Sequence, residues 1–587
     1  MAGKPTVRGE FASVGLSAAG GFGTLQRQWM LYMGLPWVIG GMQAMVYVFV
    51  ATQPVLMVSV CTLETARLGC RPHPIDECPT DPSLYELAGD IHKSVVSEFG
   101  LACENSSWAV ALQSEFFLGF LVGVWGIGWL ADRVGRKPAL WMSAVVTQLF
   151  GLLSFVAPSY IAYAISRLGV GLGVGGLGLS SYVLAAEVTA PEWRSLVCAG
   201  TSSIFAIGIV AVSGLAAIPG IHWRLLSFSV GPTRVWMLSW ACVLPALLLT
   251  RFLESPVWLE AQGRHGEAEA GLRKIAIVNN RLAEFDSFLR KWDDELTADA
   301  DGNLSIEEGE RGGPSPVDEG LWGYLLRSRL NIIQEFMAVM VAAWFASSLG
   351  YYGLSMNVGH LGGNIYVNSI LNALVEIPSY GVMYFMVDNA VTGRKLTLVI
   401  YLLAAGVACM VCPFFTYLHW LSLTIALIGK FFISAAFGVC YIYGAELFPT
   451  SIRSSALGIQ SLAARIAGII SPLIPPLGGF WSPLPDFIFG IPCIVAAGLT
   501  LRFLPETLGR NLPMSVEDVR GLRYSSVGGA DGPRPGHGRT HGKYEMPLEE
   551  FDTDSSDGYD DEDEEEARRA ETLRDVFGTE FAPRGNE

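Results

Sequence analysis

Six ionisable side chains, Glu115, Arg167, Glu335, Glu376, Lys430 and Arg465, stand inside apolar runs of about twenty residues. At bilayer depth such a group costs at least about 2.5 kcal/mol, so it survives where it faces a cavity, a partner or a passing charge. Helical rise separates the six. Glu376 lies about 18 Å from Asp388, and Arg465 about 18 Å from Arg453, near the midplane of a hydrocarbon core about 30 Å thick. Arg167 and Lys430, roughly 30 and 24 Å from Glu187 and Glu446, fall in the outer half, and Glu335 sits about one turn inside the cytosolic end of its run. An acid and a base at one depth suit a solute bearing both charges; the alternative is that Glu376 and Arg465 pair with each other or with helix neighbours and only hold the bundle. Ring faces attract ammonium groups, which makes Trp344, Tyr351, Tyr352 and Tyr380 candidate lining, Tyr380 being four residues after Glu376 on the same helix face. This is recognition rather than catalysis. No Rossmann, Walker or zinc-protease pattern occurs, the eight His fall in loops, tail or span ends, and the glycines from Gly171 to Gly178 lie inside an apolar run and follow no strand. The expectation is no catalytic residue, no cofactor, no metal and no nucleic acid.

The elements that must position these groups are membrane helices. The chain is 51% hydrophobic and 16% charged, against about 25% charged for a soluble domain. Twelve spans are predicted, near 31–52, 108–130, 138–157, 160–183, 195–217, 233–252, 330–354, 364–386, 396–415, 419–443, 455–476 and 485–505. The expected fold is an all-α membrane protein of twelve transmembrane helices in two six-helix pseudo-repeats. Its parts are a cytosolic N-terminal segment (1–30), an N-terminal bundle (31–253) with an external loop (53–107), a cytosolic linker (254–328), a C-terminal bundle (329–507) and a cytosolic tail (508–587). The first span has no small-residue cleavage site behind it and reads as a helix rather than a signal peptide. Lys4, Arg8, Arg27, Arg133, Arg136, Lys137, Arg194, Arg394, Lys395 and Arg453 all precede odd-numbered spans, which puts both termini in the cytosol; Arg224 and Arg234 break the pattern.

Four of the ten cysteines, Cys61, Cys70, Cys78 and Cys103, fall in the external loop, where two disulfides are expected in one of three pairings. Asn105, in Asn-Ser-Ser, matches a glycosylation acceptor close to the membrane. The net charge is −16, and residues 545–587 supply −13 of it, including the run from Asp560 to Glu566. Such a segment cannot bury enough surface to fold and reads as a disordered tail, a candidate docking segment for a cytosolic partner.

An internal repeat ties the halves together. GWLADRVGRK (128–137) is matched by Asp388 and VTGRK to 395, EVTAPEWR (187–194) by ELFPTSIR (446–453), and LESPVWL from 253 by LPETLGRNLP from 504. Asp132, Arg133, Arg136, Glu187, Arg194 and Glu254 in one half, and Asp388, Arg394, Glu446, Arg453 and Glu506 in the other, therefore read as a charged cytosolic gate that pairs while that side is closed. The plainer reading is that they anchor helix ends.

GWLADRVGRK resembles the loop signature of the major facilitator superfamily. LACENSSW (101–108), RLGVGLGVGGLGLSSYVLAAE (167–187), AWFASSLGYYGL (343–354), GGNIYVNSILNALVEIP (362–378) and LPETLGRNLP resemble one branch of it, the organic cation, anion and zwitterion (carnitine-type) transporters. The likeness runs from about residue 20 to 515. Val257 departs from the Arg that usually follows Glu-Ser-Pro there, and two extra residues separate Asp388 from Gly393. The resemblance implies alternating-access transport of a small organic ion. It implies that Arg465, in ARIAGIISPL, stands where anion and carnitine-type members carry Arg and cation members an acid. Glu376 recurs in the family, and Ser379 and Tyr380 replace the Lys that anion members tend to carry after the Pro, which argues against a dedicated dianion carrier. The plasma membrane is the expected location, a vacuolar or other internal membrane the alternative. A receptor on a transporter scaffold and a sugar carrier are the competing readings, the latter disfavoured because sugar sites use amide and hydroxyl groups.

Topology is directly testable. In intact, reduced cells an impermeant thiol reagent should reach Cys70 and miss a cysteine placed between Asp560 and Glu566; the reverse pattern inverts the orientation.

Overall fold

The computed structural model describes residues 11–51, 55–58, 74–75, 85–88, 94–190, 193–228, 253–302, 332–356, 363–449, 452–510, 513 and 516–524. They belong to one compact unit, Met1–Arg523, except Tyr524, the first residue of a second, Tyr524–Glu587. The predicted span 233–252, Cys61, Cys70, Cys78 and the acidic tail lie outside the described residues.

Lipid offers no hydrogen bonds, so a spanning backbone must satisfy its own as helix. After a short helix α1 (Phe11–Ala18), the spans are α2 (Thr24–Met45, prolonged by Tyr47–Val50), α3 (Ser106–Val134), α4 (Arg136–Val156), α5 (Tyr160–Glu187) and α6 (Arg194–Ala216). The linker forms α7 (Pro256–Ala261), α8 (His265–Val278) and α9 (Leu282–Gly302). The second half comprises α10 (Ile332–Met356), α11 (Ile365–Leu374), α12 (Glu376–Val387), α13 (Gly393–Val411), α14 (His419–Leu447), α15 (Arg453–Ile470) and α16 (Leu484–Phe503). Among the described residues ten spans are long and apolar enough to cross a membrane, and in α6 only Ser203–Ala216 is a shorter apolar helix. The external loop adds a small antiparallel sheet, with Val55–Val58 between Pro74–Ile75 and Tyr85–Ala88. Among the described residues that sheet is the one strand element, which the all-helical expectation did not contain, and it lies outside the spans.

Sequence details explain the joints. Ser159 caps α5 by accepting from Ala162 N, and Asn364 caps α11 by accepting from Tyr366 N and Val367 N. Pro378 has no N–H to give Leu374, and the eighth span is accordingly divided into α11 and α12, with Glu376 just past the break. α3 and α5 approach to backbone contact: Gly119 and Gly123 face the carbonyls of Leu168 and Leu172, while Gly171 and Gly175 face those of Phe116 and Phe120. The glycine-dense run is therefore a packing surface.

α2 begins at Thr24 rather than near 31 because its first turns belong to a layer formed with α1 and the linker helices. Asn279 of α8's C-cap accepts from Leu25 N (3.0 Å) and donates to Ala19 O and the Gln26 side chain (2.9 Å each), and Gln26 donates to Val188 O (3.3 Å). Phe11, Leu16, Leu272, Ile275 and Phe285 fill the layer's core. The linker is thus bound to the N-terminal half.

Arg224, an exception to the charge rule, is committed structurally. It pairs with Glu98 and donates to Phe155 O and Ala157 O, both at 2.8 Å, while Trp223 Nε1 donates to Glu98 at 2.7 Å. Arg224→Ala should therefore cost about 1.5 to 3 kcal/mol, read as a lower melting temperature of the purified protein; an unchanged melt removes this clasp from the account.

Candidate functional site

Three helices converge on Glu376. Tyr351 of α10 donates its hydroxyl to both carboxylate oxygens (2.9 and 3.1 Å), and Lys430 of α14 pairs with it at 2.8 Å. The Lys430 ammonium also lies 3.2 Å from the centroid of the Tyr351 ring and donates to Ser355 Oγ at 2.6 Å. Both charges are 1% exposed. Helical rise alone had put Lys430 further out than Glu376. Its long stem and the Pro378 break bring them to one level, so the partner of Glu376 is Lys430 and not Arg465.

Arg465 is left without an ion pair among the described residues. Its guanidinium stacks on Phe120 of α3 at 4.4 Å and faces the Tyr352 hydroxyl, and its Nε is buried with no hydrogen-bond partner. The α15 helix carrying it is fixed to α10 by Ser348 Oγ donating to Ala464 O at 2.6 Å.

Aromatic rings close the space around these charges. Tyr352 meets Phe117 edge-on at 4.5 Å across the seam between halves. Nearer the cytosol, Tyr182 and Tyr441 approach at 6.1 Å; Trp37 flanks the first at 6.4 Å and Trp344 the second at 4.3 Å. Both indole Nε1 atoms are buried without an acceptor. Trp344 was expected from sequence; Trp37, Tyr182, Tyr441, Phe120 and the partnership of Lys430 were not. The repeat carries the signal for the tyrosines, since Tyr182 and Tyr441 each stand five residues before the matched acids Glu187 and Glu446. Tyr380 is buried one turn from Glu376 and packs near Gly438.

The cytosolic acids and bases form two equivalent clusters. Arg136 holds Glu187 with two bonds (3.1 and 3.0 Å) and pairs with Asp132, while Arg394 holds Glu446 (3.2 and 3.1 Å) and Asp388 (3.3 Å). Glu254 accepts from Arg136 N (3.1 Å) and Lys137 N (3.3 Å), and Glu506 from Arg394 N and Lys395 N (3.0 Å each), so each acid sits on a helix N-terminus. Gly135 and Gly393 have positive φ (108° and 58°), and a Cβ at either would collide with Glu254 or Glu506. Arg194 and Arg453 donate to Ala186 O and Phe448 O at 3.3 Å each, and Arg133 stacks on Trp129 at 4.0 Å. Arg136 and Arg394 thus pair inside their own halves rather than across the cytosolic mouth. The reason is geometric: acid and base of each repeat lie on neighbouring helices of one bundle.

Of the remaining expected residues, Cys103 is disulfide-bonded, and Asn105 is exposed and precedes α3, its side chain donating to Gly100 O at 3.4 Å. Glu335 stands in the first turn of α10.

The fold is that of a multi-pass membrane protein, and comparison with known proteins gives its class. Residues 83–516 match the sugar (and other) transporter family. The organic cation transporter protein of Drosophila melanogaster is 32% identical, over 77% of this chain and 78% of its own. Solute carrier family 22 member 15-like of Xenopus laevis is 33% identical over 82% and 93%, and human solute carrier family 22 member 2 is 32% identical over 77% and 75%. In structure, the proton:xylose symporter XylE superposes with a TM-score of 0.55 at 18% identity, over 84% of this chain and 99% of its own, a likeness of fold. The chain belongs to the major facilitator superfamily and, within it, to solute carrier family 22, the organic cation transporter group. It is a multi-pass membrane transporter.

Lys430→Ala leaves a buried, unpaired Glu376 and should destabilise by about 3 to 5 kcal/mol, whereas the double variant Lys430→Met, Glu376→Leu should melt close to wild type. Equal losses in both would mean the pair is not mutually compensating.

Proposed function

We propose that this protein carries small organic ions by alternating access, with zwitterionic, carnitine-like solutes and amphiphilic organic cations or anions as its substrates. The observation that carries this reading is Arg465, a midplane cation with no ion pair among the described residues and an unpartnered buried Nε. A solute carboxylate supplies the acceptor it lacks. The ammonium end has a matching host. Lys430 holds the Glu376 carboxylate there beside the Tyr351 ring, and a solute ammonium entering shares that carboxylate without displacing Lys430. Trp344, Tyr352 and Tyr380 then flank the solute. The family's relatives include proteins named organic cation transporters, which supports the cationic half of the assignment.

Alternating access follows from the seam. On the outer side Ser114 Oγ donates to Ile469 O (2.8 Å), the Ser213 and Ser369 hydroxyls meet (2.8 Å), and Phe49 stacks on Tyr366 (5.7 Å). On the inner side stand Tyr182 and Tyr441. These contacts break in turn as two rigid bundles rock, and the cytosolic clusters serve as the gate by fixing the helix ends that move. The plasma membrane is the location this reading favours, and a cytosolic partner for the acidic tail rests on charge alone. A receptor on the same scaffold would bind such solutes without moving them, which uptake into liposomes distinguishes.

Arg465→Ala should lower affinity for carboxylate-bearing solutes by about 1.5 to 3 kcal/mol, roughly tenfold to a hundredfold, and spare cations that lack a carboxylate. Arg465→Lys should fall between, since it keeps the charge but loses the planar fork. Glu376→Gln should show the opposite preference. Should binding assays find both variants losing every solute class alike, the charges are structural and the substrate assignment fails.

A further inference from the structure

Glu115 has no part in the solute reading, yet it lies on α3 about 26 Å from Asp132, within the outer half of the bilayer. Its Oε2 is buried and has no hydrogen-bond partner among the described residues. The carboxyl shares a hydrogen bond with the Tyr160 hydroxyl and faces the Arg167 guanidinium of α5. Both have other partners as well. Tyr160 donates to Trp108 O at 3.0 Å. Arg167 donates to Gln43 Oε1 at 2.7 Å and to Gln43 O at 3.1 Å, and stacks on Phe116 at 4.8 Å. The other ionisable groups around α3 are likewise accounted for: Tyr47 lies beside Tyr160, Glu98 is paired with Arg224, Cys103 is in a disulfide and Arg465 sits on Phe120. α4 carries charge only at its cytosolic end, in Arg136 and Lys137. A neutral carboxyl tolerates such a setting; an ionised one with an unanswered oxygen does not.

Their chain neighbours hold the outer seam. Ser114, beside Glu115, donates across it to Ile469 O at 2.8 Å, and Phe117, two residues on, meets Tyr352 at 4.5 Å. Gln43, the present partner of Arg167, belongs to α2, whose prolongation stacks Phe49 on Tyr366 at 5.7 Å. Arg167 therefore stands between two acceptors, the Gln43 side chain of α2, which itself donates to Ser227 O at 3.1 Å, and the Glu115 carboxyl of α3.

We propose that Glu115 is a proton-binding site whose protonated form closes the outer seam. When Glu115 loses its proton to external water, the carboxylate draws Arg167 from Gln43, and α2 is released together with the Phe49–Tyr366 contact. Protonation returns Arg167 to Gln43 and restores the seam. The only covalent change is the gain or loss of one O–H proton at Glu115.

The test needs no solute, so its failure is separate from that of the Arg465 assignment. Ser369→Cys places a thiol on the seam, where Ser369 meets Ser213 at 2.8 Å. With Glu115 present, labelling of intact cells by an impermeant thiol reagent should rise several-fold from acidic to alkaline medium, beyond the rise that the reagent's own chemistry gives. With Glu115→Gln added, that excess should vanish and labelling stay low. An equal excess in both backgrounds overturns the proposal. Infrared difference spectra of the purified protein between acidic and alkaline buffer provide a readout that does not depend on the Gln variant folding. They should show a protonated-carboxyl band that moves in Glu115→Asp, and a spectrum untouched by that change overturns the proposal equally.

Discussion

The Glu376–Lys430 pair, 2.8 Å apart and almost fully buried, fixes α10, α12 and α14 at a common level, because neither charge can leave the other without standing alone in a medium that hydrates nothing. Tyr351 and Ser355 join it, so four side chains from three helices share one electrostatic obligation. The consequence reaches the rest of the bundle. With Glu376 satisfied from its own half, Arg465 on α15 has no ion pair among the described residues and rests on the Phe120 ring of the other half.

The N-terminal half solves the equivalent problem differently. Its buried outer cation, Arg167, finds neutral acceptors on Gln43 instead of a carboxylate, while the nearby Glu115 keeps an unanswered oxygen. The two bundles are therefore alike in backbone and unlike in charge. Symmetry is closest at the end of the bundles where Arg136 with Glu187 and Arg394 with Glu446 repeat one geometry, and where Glu254 and Glu506 each cap a helix whose N-terminal glycine, Gly135 or Gly393, has no room for a side chain. Those clusters tie the helix ends together within each bundle.

Much of this was legible in the residues. Long apolar runs in a solvent that cannot hydrogen-bond admit only helices, so the spans α3 to α6 and α10 to α16 were readable to within several residues wherever the structure describes them, and the duplicated motifs announced two equivalent bundles. The small external sheet was not, because its strands are short and sit in a loop whose pairing depends on distant residues. Nor was the early start of α2: Thr24 to Met30 is helical because Asn279, some 250 residues away, receives it.

For the site, sequence determined which ionisable and aromatic groups lie within the membrane and roughly how deep, since rise per residue is a property of one helix. Only the tertiary structure decided who faces whom. Lys430 reaches Glu376, Arg465 does not, and Arg136 and Arg394 stay within their halves, because partner choice depends on the rotation and offset of separate helices and on how far a long side chain extends along its neighbour. A single chain of letters carries the period of each helix but not the phase between two of them.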